Sequence, residues 1–129
     1  VIVAASKDDT LPVLTGIKVE IENDLITFLA TDRYRLALRE LNWTPIQAEI
    51  STSFLIKAKT LSEVAKTLSS SGELKLAMSE NGEMVGFESS NRRTTSLLIN
   101  GEYPKIRARS PTDTPIHATV RTSELMEAV

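Results

Sequence analysis

Residues 15–22, "TGIKVEIE", alternate strictly, with Ile17, Val19 and Ile21 pointing one way and Lys18, Glu20 and Glu22 the other. A period of two is that of a strand with one buried face. Asn23-Asp24 supplies a turn, and the mostly apolar "LITFLAT" (25–31) predicts a second strand. Alternation resumes in "YRLALREL", with Leu36 and Leu38 on one face and Arg35 and Arg39 on the other, so a three-stranded meander is expected. Pro45 in "NWTPIQ" has no N–H to donate and marks a loop, after which the β-branched "AEISTSFLI" predicts a fourth strand leading into a helix.

That helix carries the strongest local signal. Leu61, Val64, Ala65 and Leu68 fall at i, i+3, i+4 and i+7, and Thr60 with Glu63 has the spacing of a capping box. "SSSG" (69–72) ends it, and strand patterns return: "ELKLAMS" with Leu74, Leu76 and Met78 inward, a turn at Asn81-Gly82, "EMVGFESS", a turn near Asn91, and "RTTSLLI". The meander is thus repeated. "NGEYPKIRARSPTDTPI" holds three of the five prolines without periodicity and reads as a surface connector. "VRTSELMEAV" then echoes "IKAKTLSEVAKTL", a strand-like stretch followed by Thr and Ser-Glu at the head of a helix. With Val1–Ser6 reading as the last turns of a helix, the order is helix, strands, helix, strands and the start of a third helix. The expectation is an α+β fragment of a longer, repeated architecture.

Composition narrows the function classes. At 129 residues and 41% hydrophobic content, one ordinary domain with its own core is expected. Fifteen Lys and Arg against seventeen Asp and Glu give a net charge of −2, so any contact with DNA must come from a local basic patch. The absence of Cys excludes a disulfide framework and a thiolate zinc site, and fits a reducing cytosol. No apolar run approaches the roughly 20 residues of a membrane span, and "VIVAASKDD" lacks the pattern of a signal peptide. No phosphate loop, nucleophile elbow or HExxH string occurs, His117 is the lone histidine, and Asp8, Asp9, Asp24 and Asp32 lack calcium-loop spacing. Neither a cofactor nor a metal is expected.

Three strings in order, "SKDDTLPVLTGI", "ATDRYRLAL" and "LLINGEYPKIR", carry a family resemblance. The chain resembles the middle domain of bacterial DNA polymerase III beta subunits, the sliding clamps, over residues 1–116, with 117–129 resembling the start of a third clamp domain. The resemblance implies the DNA-clamp fold, in which a unit of helix plus antiparallel strand meander is duplicated. It implies a dimeric ring that encircles duplex DNA without reading sequence. Partners would be DNA polymerase III and clamp-loader subunits bearing short linear motifs, with no membrane contact, a cytoplasmic location and no catalysis. By itself, the fragment is expected to be monomeric.

Matched by motif, Thr31, Arg33, Tyr34, Arg35 and Leu36 would line the family's hydrophobic partner groove, with Leu14 from "PVLTG" and Pro111 and Ile116 from the connector. Aliphatic walls, an aromatic platform and a few donors are what a groove for an apolar peptide needs. Many clamps carry Gly-His where this chain has Arg33-Tyr34, which makes the rim bulkier and more cationic. Lys59, Ser62 and Lys66, with Ser69, recur at helical spacing and would face the DNA channel, where sparse contacts to phosphate permit sliding. From the residues alone, the favoured reading is plainer: Leu14 and Leu36 are core, Tyr34 a turn residue, Asp32 a turn acceptor paired with Arg35, and the lysine stripe a solvated helix face. Gly101 and Tyr103-Pro104 read as a rigid connector held by a buried ring. Two alternatives stand beside the clamp: a stand-alone peptide-binding adaptor of the same fold that does not encircle DNA, and a small hydrolase using Asp32 with Asp8 or Asp9.

Overall fold

The computed structural model describes residues 1–68, 72–90, 92–109 and 113–129. Pro111, Ser69 and the turn at Asn91, each singled out in the sequence, lie outside the described residues.

Strands β1 (Gly16–Glu22), β2 (Leu25–Thr31) and β3 (Leu36–Asn42) form the expected meander, and β4 (Ser51–Lys57) returns to lie antiparallel beside β1, giving the order β3-β2-β1-β4. This is the spatial order of a Greek key, a meander closed by a longer connection. Asn23, at φ +54, makes the tight β1–β2 turn, a backbone region that Asn tolerates better than most residues. The connection into β4 is pinned where Trp43 donates its ring N–H to the Asn23 carbonyl at 2.8 Å. A second sheet follows, with β5 (Lys75–Met78), β6 (Met84–Ser89) and β7 (Arg92–Leu97) in the order β5-β6-β7. Gly82, at φ +69, turns β5 into β6.

Between the sheets in sequence lies α1 (Ala58–Leu68). It starts two residues before Thr60, because β4 stays paired with β1 as far as Lys57↔Gly16 and passes straight into the helix. Thr60 is therefore inside the first turn and not ahead of it as the capping-box spacing implied. The buried positions are Ala58, Val64 and Leu68, with Leu61 half-buried, whereas Ala65, expected inward, is exposed.

The two faces of the first sheet are both used. Ile17, Val19 and Ile21 of β1, Phe54 and Ile56 of β4, Val64 and Leu68 of α1, and Val85 and Phe87 of β6 share one core. The opposite face carries a smaller cluster of Leu14, Leu29, Leu55, Tyr103 and Ile106, with Leu36 and Ile99 against it. The connector after β7 thus crosses the second face and seals it. Arg107 fastens it further by donating to Glu20 at 3.3 Å and Glu40 at 3.1 Å.

Several local expectations are corrected. Val1–Ser6 holds a single 3₁₀ turn, Ile2–Ala4, with Ala4 and Ala5 entering the main core. Leu74 precedes β5 and is exposed, and Leu76 and Met78 are only half-buried because β5 is an edge strand. Among the described residues, 117–120 make no strand pairing, and α2 (Thr122–Ala128) buries none of its residues.

Candidate functional site

The segment between β2 and β3 is built around Asp32. Its Oδ1 accepts the backbone N–H groups of Tyr34 at 3.1 Å and Arg35 at 3.0 Å, and its Oδ2 accepts the Arg35 guanidinium at 2.9 Å. These bonds, the Arg35 backbone N–H first, hold the carboxyl below its ordinary value of 3.8 against a smaller opposing effect of desolvation. Thr31 closes the base of the loop, its hydroxyl donating to the Arg35 carbonyl at 2.7 Å and accepting the Arg33 N–H at 3.1 Å. Arg33 sits at φ +81, and the turn projects Tyr34 into solvent, 96% exposed, between two exposed arginines.

Below the turn, Leu36 is half-buried and joins the cluster that contains Leu14. The structure therefore brings Leu14 and Leu36 into one cluster, with Thr31 paired to Leu36 at the strand end and Arg33, Tyr34 and Arg35 on the turn between them; of these residues Arg35 also lines a cavity, the basic one at the foot of α1. Leu14 is only 5% exposed, so it is the floor beneath this site and not an open wall. Ile116 is not brought in: it is 92% exposed and outside that cluster. The reading of Asp32 as a turn acceptor paired with Arg35 describes its geometry correctly.

Tyr103 is buried against the same cluster and its phenol oxygen accepts the Thr31 backbone N–H at 2.9 Å. Burial pushes its ionisation above the ordinary value of 10.0, against the lowering effect of that hydrogen bond, so the hydroxyl is neutral in the physiological range. The sequence marked the ring as an anchor but held no signal for the hydroxyl's partner.

On α1, Lys59 and Lys66 are exposed and Ser62 is half-buried, all on one side of the helix. At its foot lies a cavity of about 790 Å³ lined by Lys7, Arg35, Lys57 and Lys59, with Asp9 the single acid and Ile2, Val3, Ala5 and Ala58 among the apolar groups. Lys7, Arg35 and the Lys57–Lys59 pair come from separate segments, so no spacing rule could have gathered this basic cluster.

The paired-carboxylate hydrolase is not supported. Asp8 accepts the hydroxyl and the backbone N–H of Thr10 at 2.7 and 2.9 Å, bonds that lower its pKa from 3.8, and Asp32 is bound within its own turn. Neither Asp8 nor Asp32 thus offers the raised-pKa general acid that such chemistry needs, and Asp9, the other carboxylate named, lines the basic cavity with Lys7 and Lys59. Among the described residues no three His, Cys, Asp or Glu side chains converge in a way that could hold a metal.

Two antiparallel meanders joined through one amphipathic helix, with a strapped sheet face and a projecting turn at its edge, define an α+β domain of the DNA-clamp fold. The chain belongs to the DNA polymerase III beta subunit family: residues 1–105 match the model of that family's central domain. It is 62% identical over 128 residues to a beta sliding clamp of Micrococcus luteus, covering 99% of this chain and 41% of that protein. It is 46% identical over 132 residues to a beta sliding clamp of Streptomyces coelicolor, covering 100% of this chain and 35% of that one. Among solved structures, the DNA polymerase sliding clamp from Bacillus subtilis superposes with a TM-score of 0.76 at 32% identity, over 87% of this chain and 29% of that chain. The DNA polymerase III beta subunit from Thermotoga maritima gives 0.72 at 30%, over 86% and 29%. The chain thus spans well under half the length of these relatives.

Proposed function

We propose that this chain acts as the middle domain of a DNA sliding clamp, a processivity factor that encircles duplex DNA and tethers a replicative polymerase. Residues 1–116 form the domain and 117–129 begin the next. The observation that carries the partner-binding half of this reading is the 31–36 turn: an exposed aromatic between two arginines, two residues before half-buried Leu36, in a chain whose family is established by sequence. Apolar side chains of a linear motif pack on Leu36 and Tyr34, while Arg33 and Arg35 supply donors to the peptide. Pro111 and Ile116 close the groove only when the following domain is in place.

The DNA-facing half rests on α1. Lys59, Ser62 and Lys66, extended by Lys7 and Lys57 at the helix foot, form a local basic face on a chain of net charge −2. Such a face contacts phosphates weakly and without sequence preference, which suits a ring that holds DNA by topology. The domain contributes no catalysis, recruits DNA polymerase III and clamp-loader subunits through linear motifs, dimerises only as part of the full-length ring and works in the cytoplasm.

The test of docking is a titration of full-length clamp with a short peptide carrying one Gln and two Leu. Leu36→Ala is expected to weaken binding by about tenfold or more, corresponding to roughly 1.4 kcal/mol. Unchanged affinity sinks the groove assignment. For the channel, Lys59→Ala with Lys66→Ala should shorten retention on circular DNA as salt rises; identical retention at every salt concentration removes the channel assignment. Peptide binding without ring formation by the full-length protein would favour the adaptor.

A further inference from the structure

We propose that the connector after β7 is a strap that sets the width of the partner groove, and that Tyr103 is its positioning residue. The inference rests on the peptide-groove reading above and deepens it.

The first sheet forks at one end. The β1–β2 ladder ends at Lys18↔Leu29, yet β1 continues to Gly16 and β2 to Thr31. Each strand keeps its outer neighbour to the end, β1 with β4 at Gly16↔Lys57 and β2 with β3 at Thr31↔Leu36. The sheet therefore splits between its two central strands. One prong carries Leu14 on the 3₁₀ turn Pro12–Thr15, and the other carries Thr31 and the turn to Leu36. These prongs bear the two sets of residues assigned to the groove.

The strap touches both. On the Leu14 side, a Cβ on Gly101 would lie 2.6 Å from Val13 Cγ2, so the strap backbone lies directly against that turn. Ile99 is anchored nearby, its N–H donating to the Leu55 carbonyl at 2.7 Å. On the other side, two residues further along, the Tyr103 hydroxyl accepts the Thr31 N–H at 2.9 Å. Thr31 is buried, so this N–H has no ready substitute in water once the phenol oxygen is removed. Gly101 and Tyr103 thus bridge the fork by touching both prongs, and the phenol oxygen occupies a place that a paired β1 carbonyl would take in an unsplit sheet.

Tyr103 touches no peptide in this arrangement; it acts through Thr31, whose own hydroxyl organises the turn by bonding to Arg33 and Arg35. Deleting the hydroxyl leaves the buried ring in place and frees one prong. Adding a Cβ at Gly101 pushes the other.

The test uses full-length clamp and a fluorescein-labelled peptide with one Gln and two Leu, comparing wild type, Tyr103→Phe, Gly101→Ala and Phe87→Leu. Phe87→Leu lies in the main core away from the strap and serves as a control for stability loss. Tyr103→Phe is expected to weaken the peptide roughly fivefold to tenfold, within the range seen for residues that act through a neighbour. It should also shift the Thr31 amide resonance and speed its hydrogen exchange. Gly101→Ala should weaken the peptide with a smaller change at Thr31, and Phe87→Leu should bind as wild type does. Wild-type affinity in Tyr103→Phe, or an equal loss in Phe87→Leu, overturns the strap while leaving the groove standing. A wild-type protein that does not bind the peptide defeats the groove reading, and the strap with it.

Discussion

Asp32 shows how one partly buried carboxylate shapes a candidate binding turn. Because hydrogen bonds lower its pKa in the folded chain below 3.8, the stability it adds is fully present above that value and fades as pH falls through the lower, folded-state value. The Tyr34 and Arg35 amides should therefore shift in NMR spectra on acidification below about pH 3.8, ahead of global unfolding. In Asp32→Asn, which keeps an oxygen acceptor but no charge, this titration should vanish; an identical profile in the variant would show that another group controls the turn. Gly16 makes a separate demand, since a Cβ there would lie 2.7 Å from Leu55 Cδ1 and 3.0 Å from Ile99 Cδ1. Both neighbours are held in the cluster under the strap, so Gly16→Ala should cost about 1–3 kcal/mol by overpacking, measured by urea denaturation.

The secondary structure was most legible where one face is buried and the other wet. Strand β1 follows its alternation position by position, and the helix was located by its apolar spacing. Errors cluster where a neighbouring element overrides local pattern. Thr60 and Glu63 have capping-box spacing, but continuous pairing of β4 carries the chain into α1 at Ala58, which adds Ala58 to the inward face beside Leu61, Val64 and Leu68 and leaves Ala65 exposed. Alternation cannot reveal that Leu74 lies ahead of β5, nor that β5 is an edge strand on which Leu76 and Met78 stay half-buried. The corrected face makes a sharp prediction: Ala65→Lys should change stability by less than about 0.5 kcal/mol, whereas Leu68→Ala should cost about 2–5 kcal/mol. Thermal unfolding of both variants decides it, and a large loss in Ala65→Lys would restore the face read from the spacing.

Across the molecule, the site depends on contacts that no linear pattern records. Thr31 and Tyr103 are 72 residues apart, and Arg107 reaches back to Glu20 and Glu40 on two different strands. The motif resemblance could name Leu14, Thr31 and Leu36 together, but the bond between the Thr31 N–H and the Tyr103 hydroxyl depends on the connector folding over the sheet. Beyond that strap the character of the chain changes: α2 buries no residue and Ile116 stands exposed, away from Leu14 and Leu36. On the proposed reading the groove has one wall here, which gives an apolar peptide little area to bury, and affinity follows the enclosed core of an interface more than its rim. The 129-residue chain should therefore sediment as a monomer of 14.2 kDa and bind the Gln- and Leu-containing peptide well below the affinity of the full-length clamp. Leu36→Ala should lower the full-length affinity by about tenfold and change the weak binding of the short chain less, because a side chain contributes most where water is excluded around it. Equal affinities in the two proteins would mean that the middle domain alone completes the groove, and that Pro111 and Ile116 are spectators.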